Sequence, residues 1–296
     1  MENVNKNLED EISSNRLIKL LYKILLYLKI ITINDFNNFK NEVIYNNRFF
    51  PNHKIIDVVR EKAVNYKYIL KKNTNLYRSR IYKKNEINLD DYDFNGYNAE
   101  NSLAPKNKDN IGAGRINPEK IAYLYLSEDV ETCIIEVRPI ISDIISVATV
   151  KITNDLNIFD LTSFSKYDLK FGVEDIINNN IELLKYCSKY DSLDDCLDNI
   201  IDKEFQSLYY GFSLPNKGNV IDYIPTQYIS ELLKNIGFDG IRFNSSLNKN
   251  GINITIFNHE NNCEFINSYL YNISDIKVYY SKLKDTFDKM YNEIYK

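Results

Sequence analysis

The sequence predicts an α+β protein in two unequal parts, a helical domain over residues 1–72 and a larger mixed domain over residues 73–296. Three observations carry that expectation. Apolar residues recur at helical spacing near the start, through Leu17, Leu20, Leu21, Ile24, Leu25 and Leu28. Later runs such as 144–152 and 252–257 are rich in β-branched and aromatic residues and alternate with helical patterns. Between the two parts, the polar segment Lys71-Lys72-Asn73-Thr74-Asn75 reads as a boundary.

Residues 12–30 form the first expected helix, with lysines on the side away from the leucines. A second is expected over residues 54–70. Residues 76–81 read as a strand, 83–111 as a long polar loop and 122–126 as another strand. A helix then opens at Ser127, whose hydroxyl can cap free amides while Glu128 and Asp129 occupy the positive first turn. Pro139 stops that helix just beyond Glu136. Strand composition returns at 144–152 and 156–161, and a helical period runs through 173–212. A helix over 226–236 ends at Gly237. Residues 238–244 and 252–257 make two more strands, and 264–296 adds a further strand or two and a terminal helix.

Composition narrows the function classes. With 44% hydrophobic residues in 296, the chain can bury a large core. Its 37 basic and 41 acidic side chains form no long block of either sign, which argues against nucleic acid as a partner. The stretch 17–33 is interrupted by Lys19, Lys23 and Lys29 and is followed by no cleavage site, so neither a membrane span nor export is expected and the chain reads as cytoplasmic. Cys133, Cys187, Cys196 and Cys263 form no CxxC pair, and with only His53 and His259 beside them no metal site is expected. Asp91, Asp93, Asn95 and Gly96 match half of a calcium loop, but Ser102 stands where its closing glutamate would be.

Several residues are candidates for chemistry. Arg78 sits in the 76–81 strand, and Arg80 shares its face two residues on; an arginine fork reads phosphate, so one can bind and the other support it. Arg115 follows Gly112-Ala113-Gly114, where the backbone can approach a ligand closely. Glu136 borders the apolar face made by Val130, Cys133, Ile134 and Val137, so its carboxylate must be paired or useful. The pairing alternative is an ion pair with Arg138 or Arg115. Tyr77 and Tyr125 have rings that can stack on a base. Ser245 or Ser246 offers a hydroxyl at a strand end.

Leu76-Tyr77-Arg78-Ser79-Arg80, Gly114-Arg115, Leu124-Tyr125-Leu126-Ser127, Glu136-Val137-Arg138-Pro139 and Gly240-Ile241-Arg242-Phe243-Asn244-Ser245-Ser246 with Asn253 follow in order. That series resembles the RES domain, named for its Arg, Glu and Ser, over roughly residues 76–258. The resemblance implies an ADP-ribosyltransferase-like split β-sheet with flanking helices, preceded by the helical domain found in longer members. It also implies a toxin or defence enzyme that consumes NAD, with no cofactor beyond NAD as its substrate. On this reading Glu136 stabilises the ribosyl cation with Arg78 and Ser245, and Arg78, Arg80, Arg115, Tyr77, Tyr125 and Ser246 hold NAD. Water or phosphate is the expected acceptor. The alternatives are transfer of ADP-ribose to a protein or nucleic acid, and a catalytically silent interaction module. An antitoxin, a regulatory protein or a second copy is the expected macromolecular partner, and the Leu21 and Leu28 stripe reads either as the surface for one of them or as packing against the mixed domain.

Overall fold

The computed structural model describes residues 31–83, 95–167, 202–213 and 219–277. By internal packing the chain divides into two compact units, one of residues 36–163 and 208–276, the other of residues 1–35, 164–207 and 277–296. The expected helix over 12–30, most of the 173–212 segment and the terminal helix lie outside the described residues. The whole sheet belongs to the first unit.

That sheet has eight strands: β1 (Lys67–Leu70), β2 (Asn75–Ile81), β3 (Leu124–Ser127), β4 (Ile144–Ile152), β5 (Leu156–Asp160), β6 (Gly240–Asn244), β7 (Ile252–Ile256) and β8 (Cys263–Asn272). Their order is β1-β5-β6-β7-β3-β2-β4-β8. Within it β5 and β6 run parallel and the other neighbours antiparallel. Helices α1 (31–41) and α2 (Lys54–Lys62) precede it; α3 (Ala99–Ser102), α4 (Val130–Glu136), α5 (Lys203–Ser213) and α6 (Ile224–Asn235) fall between strands. The architecture is the expected α+β one.

Side-chain alternation lets β4, paired between β2 and β8, feed cores on both faces of the sheet. Ile145 and Val147 point to one face and pack with Cys133 of α4, whereas Val150 and Ile152 join Leu76, Leu126 and Ile254 on the other. Each such fully buried aliphatic side chain contributes roughly 1.5–3 kcal/mol. On the far side β8 carries one extra residue where Thr149 pairs with Asn267 and Val150 with Phe265, leaving Ile266 as a bulge.

Three local expectations are corrected. The 54–70 helix ends at Lys62, passes through a 3-10 turn over Ala63–Tyr66 and becomes β1. Tyr68 and Ile69 favour a strand, and pairing with β5 buries Leu70 in the large cluster. Sheet residues therefore lie on both sides of the 72/73 boundary. The polar stretch 83–111 contains α3 and a 3-10 turn over Lys108–Asn110. Ser127 does not cap α4; it ends β3, and Asp129 takes the capping position by accepting from Thr132 N at 2.7 Å. A carboxylate two residues later serves the free amides and leaves the serine to the sheet. Among the described residues no helix is long and apolar enough to cross a membrane.

Candidate active site

The sheet splits at its middle. β2 and β3 pair only at Tyr77 and Ser127. Beyond that point residues 78–81 pair with β4, while β3 pairs with β7 along its length. A cavity of about 500 Å³ opens at the split, a volume typical of small-molecule sites. Tyr77, Arg78 and Ser79 line it from β2, and Tyr125, Leu126 and Ser127 from β3. The end of α4, the loop containing Gly114 and Arg115, and the turn after β6 close the remaining walls.

Glu136 is the last residue of α4. Its Oε1 accepts from Ser245 Oγ at 2.6 Å and from Asn253 Nδ2 at 2.6 Å. Ser127 Oγ in turn donates to Asn253 Oδ1 at 2.7 Å; the Glu136 oxygen accepts, so the amide nitrogen is the end that faces it, and the hydroxyl serves the other end. Ser245 Oγ also accepts from Leu247 N at 3.0 Å and Asn248 N at 2.9 Å. One donor and two lone pairs are all a hydroxyl has, so Ser245 is saturated by the protein. Oε2 of Glu136 accepts nothing from the described residues, and no ion pair joins Glu136 to Arg138 or Arg115.

Three arginines line the same cavity. Arg78 donates to Ser102 O at 2.6 Å and to Leu103 O at 3.5 Å. Burial, aided by the charge of Arg80, pushes its pKa down from 12.5 to about 10. Arg115 donates to Phe212 O. Burial lowers its pKa too, against the raising effect of Tyr223, Glu136 and Tyr125. Arg138 reaches the cavity from a backbone with φ of +51°.

The loop bearing Arg115 is shaped from below by Tyr125. Its hydroxyl accepts from Ile116 N at 2.9 Å and Asn117 N at 3.2 Å and donates to Asn117 Oδ1 at 2.8 Å. Burial pushes this phenol up to about 12. Asn117 Nδ2 in turn donates to the carbonyls of Gly112, Pro118 and Ile121. Gly114 is required by the close approach, since a Cβ there would lie 2.5 Å from Asn117 Oδ1 and 2.7 Å from the Tyr125 hydroxyl. Gln227 of α6 donates to Gly114 O at 2.8 Å and Asn117 O at 3.0 Å, closing the loop from outside.

The cavity gathers Tyr77, Arg78, Arg115, Tyr125, Glu136 and Ser246 from the residues singled out in the sequence. Ser245 lies one hydrogen bond from Glu136. Arg80 stands apart: it donates to Asn101 O and lies 5.7 Å from the centre of the Tyr97 ring, outside the cavity lining. The Cys133 thiol lines the cavity but is pushed up to about 12 by burial and donates to Ser79 Oγ at 3.2 Å, so it packs and does not attack. Arg242, in the closing motif, faces elsewhere; it bonds Glu128 at 2.7 Å and Asp160 at 3.2 Å and lies over the Tyr68 ring at 4.9 Å.

Sequence reasoning missed Asn117 and the Ser127–Asn253 link. The Asn117-Pro118 pair is a turn signal that could have pointed to the first. Nothing local could have paired Ser127 with Asn253, because that contact spans two strands.

A family model described as RES domain matches residues 94–267. A chain of the M. tuberculosis MbcT–MbcA toxin–antitoxin complex is similar in structure, with 12% identity and a TM-score of 0.38, covering 75% of this chain and 93% of that one. No curated protein matches by sequence.

Proposed function

The chain belongs to the RES domain family, and on that premise we propose that it cleaves the nicotinamide–ribose bond of NAD with water or phosphate as acceptor. The observation that carries this reading is Glu136, held by Ser245 and Asn253 at the wall of an arginine-lined cavity. A carboxylate fixed through one oxygen keeps the other for a ribose hydroxyl. As the C1′–N bond breaks, its electron pair leaves with neutral nicotinamide and positive charge builds on the ribose carbon. Glu136 stabilises that charge without moving. Water then bonds to C1′ and releases a proton, giving ADP-ribose; phosphate would give the ribose 1-phosphate in its place.

The surrounding residues support this chemistry. Arg78 and Arg115 supply positive charge for the diphosphate. Tyr77 and Tyr125 present rings, and the saturated Tyr125 hydroxyl makes that residue a packing surface more than a hydrogen-bond donor to substrate. The family resemblance adds a toxin role, and an antitoxin that silences it, to the same proposal. Nucleotide profiling by mass spectrometry after expression tests it: wild type should deplete NAD, and Glu136→Ala should not. Unchanged NAD with toxicity intact would overturn the reading.

A further inference from the structure

We infer that Arg138, in place of Arg80, is the third arginine of the anion site and captures the dinucleotide diphosphate at the rim of the cavity. The inference rests on the NAD reading above and names a residue that reading does not contain. Arg78 and Arg115 are already pinned to main-chain carbonyls of Ser102 and Phe212. Arg138 lines the same cavity, is exposed, and makes no side-chain hydrogen bond or ion pair with the described residues. Its guanidinium therefore keeps its donors for a ligand. Arg80 donates to Asn101 O away from the cavity lining.

The backbone fixes where that side chain leaves the end of α4. Arg138 closes α4 with φ of +51°, its N donating to Ile135 O at 2.9 Å. Glycine is the usual residue at such a helix end, because a Cβ is disfavoured there. Pro139 follows and further restricts the conformation of residue 138. Asn73, Lys120 and Ser142 share that left-handed region, and of the four only Arg138 lines the cavity. The turn is also stapled in place: Ile140 N donates to Asp143 Oδ2 at 2.9 Å, Ser142 N to Ile273 O at 2.9 Å and Ile273 N to Asp143 O at 3.0 Å. Arg138 lowers the pKa of Arg115, so the two charges sense each other across the site, and a bound dianion would relieve that repulsion.

Arg138→Gly is the informative variant, since glycine accepts the left-handed backbone and removes only the side chain. Arg138→Lys keeps the charge without the fork. Steady-state kinetics on NAD should show KM raised roughly 10- to 100-fold in Arg138→Gly with kcat nearly unchanged, and a smaller rise in Arg138→Lys. Calorimetric binding of ADP-ribose should weaken by the same factor, whereas turnover of nicotinamide riboside, which lacks the diphosphate, should not change. Equal KM and equal ADP-ribose affinity in wild type and Arg138→Gly would overturn the inference and leave the NAD reading standing. A wild type that neither turns over NAD nor binds ADP-ribose would overturn both.

Discussion

Asn253 Nδ2 and Glu136 Oε1 lie 2.6 Å apart across the cavity wall, and Ser127 Oγ donates to the amide oxygen behind it. The carboxylate at the end of α4 is thereby tied to the strand that faces it. Removing that tie leaves Ser245 as the one donor to the carboxylate among the described residues and loosens its aim. Asn253→Leu is expected to lower kcat for NAD by on the order of 100-fold, with KM changed much less. Stopped-time nicotinamide assays measure the split; a loss confined to KM would assign Asn253 to binding.

Ser245→Ala should cost more stability than its small volume suggests. Besides the bond to Glu136 it strands the amides of Leu247 and Asn248. The expected destabilisation is about 1–3 kcal/mol, read by urea unfolding. A stability equal to wild type would mean that these amides find water at once.

Tyr125 links stability to pH. Its folded phenol is pushed up to about 12 from an ordinary value of 10, so the folded state keeps a proton that the unfolded chain has lost. The contribution is complete below pH 10 and disappears as pH rises from 10 through 12. Tyr125→Phe should be less stable at neutral pH but lose less than wild type over that window. Unfolding midpoints followed by circular dichroism across pH 9–12 would contradict this if the two proteins fell in parallel.

How much of this was legible beforehand depends on whether the cause was local. β4 is legible to the residue, because its run of β-branched residues supplies apolar side chains to both faces of the sheet. The Glu136 helix starts two residues later than its sequence suggests, since Ser127, Glu128 and Asp129 all suit a helix start and only the sheet decides that Ser127 stays in β3. β1 was hidden because Lys67–Leu70 continues a helical pattern and becomes a strand through its partner β5. At the cavity, residue types point to Glu136 and Arg115, and both line it. Arg80 lies outside the lining because its side chain donates to the Asn101 carbonyl of α3, a contact no local signal in the sequence gives.

Arg242 shows that a motif residue can serve the scaffold. Its side chain is 14% exposed and bridges Glu128 and Asp160. Burial opposes its charge, but the two carboxylates outweigh that and raise its pKa. Arg242→Met would leave two carboxylates facing each other and should destabilise the fold by about 3–5 kcal/mol. Thermal unfolding within a degree of wild type would contradict a structural role.

Arg80→Ala is the complementary control. Its removal takes away a contact to Asn101 O and the Tyr97 ring, outside the cavity. NAD turnover should stay within about twofold of wild type, because the Arg80 guanidinium lies outside the cavity lining although its charge reaches Arg78. A large rise in KM would return Arg80 to the anion site.

The most direct test is nicotinamide release from NAD by purified wild type and by Glu136→Gln, which preserves the shape of the side chain and its acceptor for Ser245. Rapid release by wild type, without any added macromolecule, and a loss of at least 1,000-fold in the variant, on the order of one electrostatic contact removed from a transition state, is the predicted result. Equal release by the two proteins, or none by wild type, would contradict the assignment of Glu136.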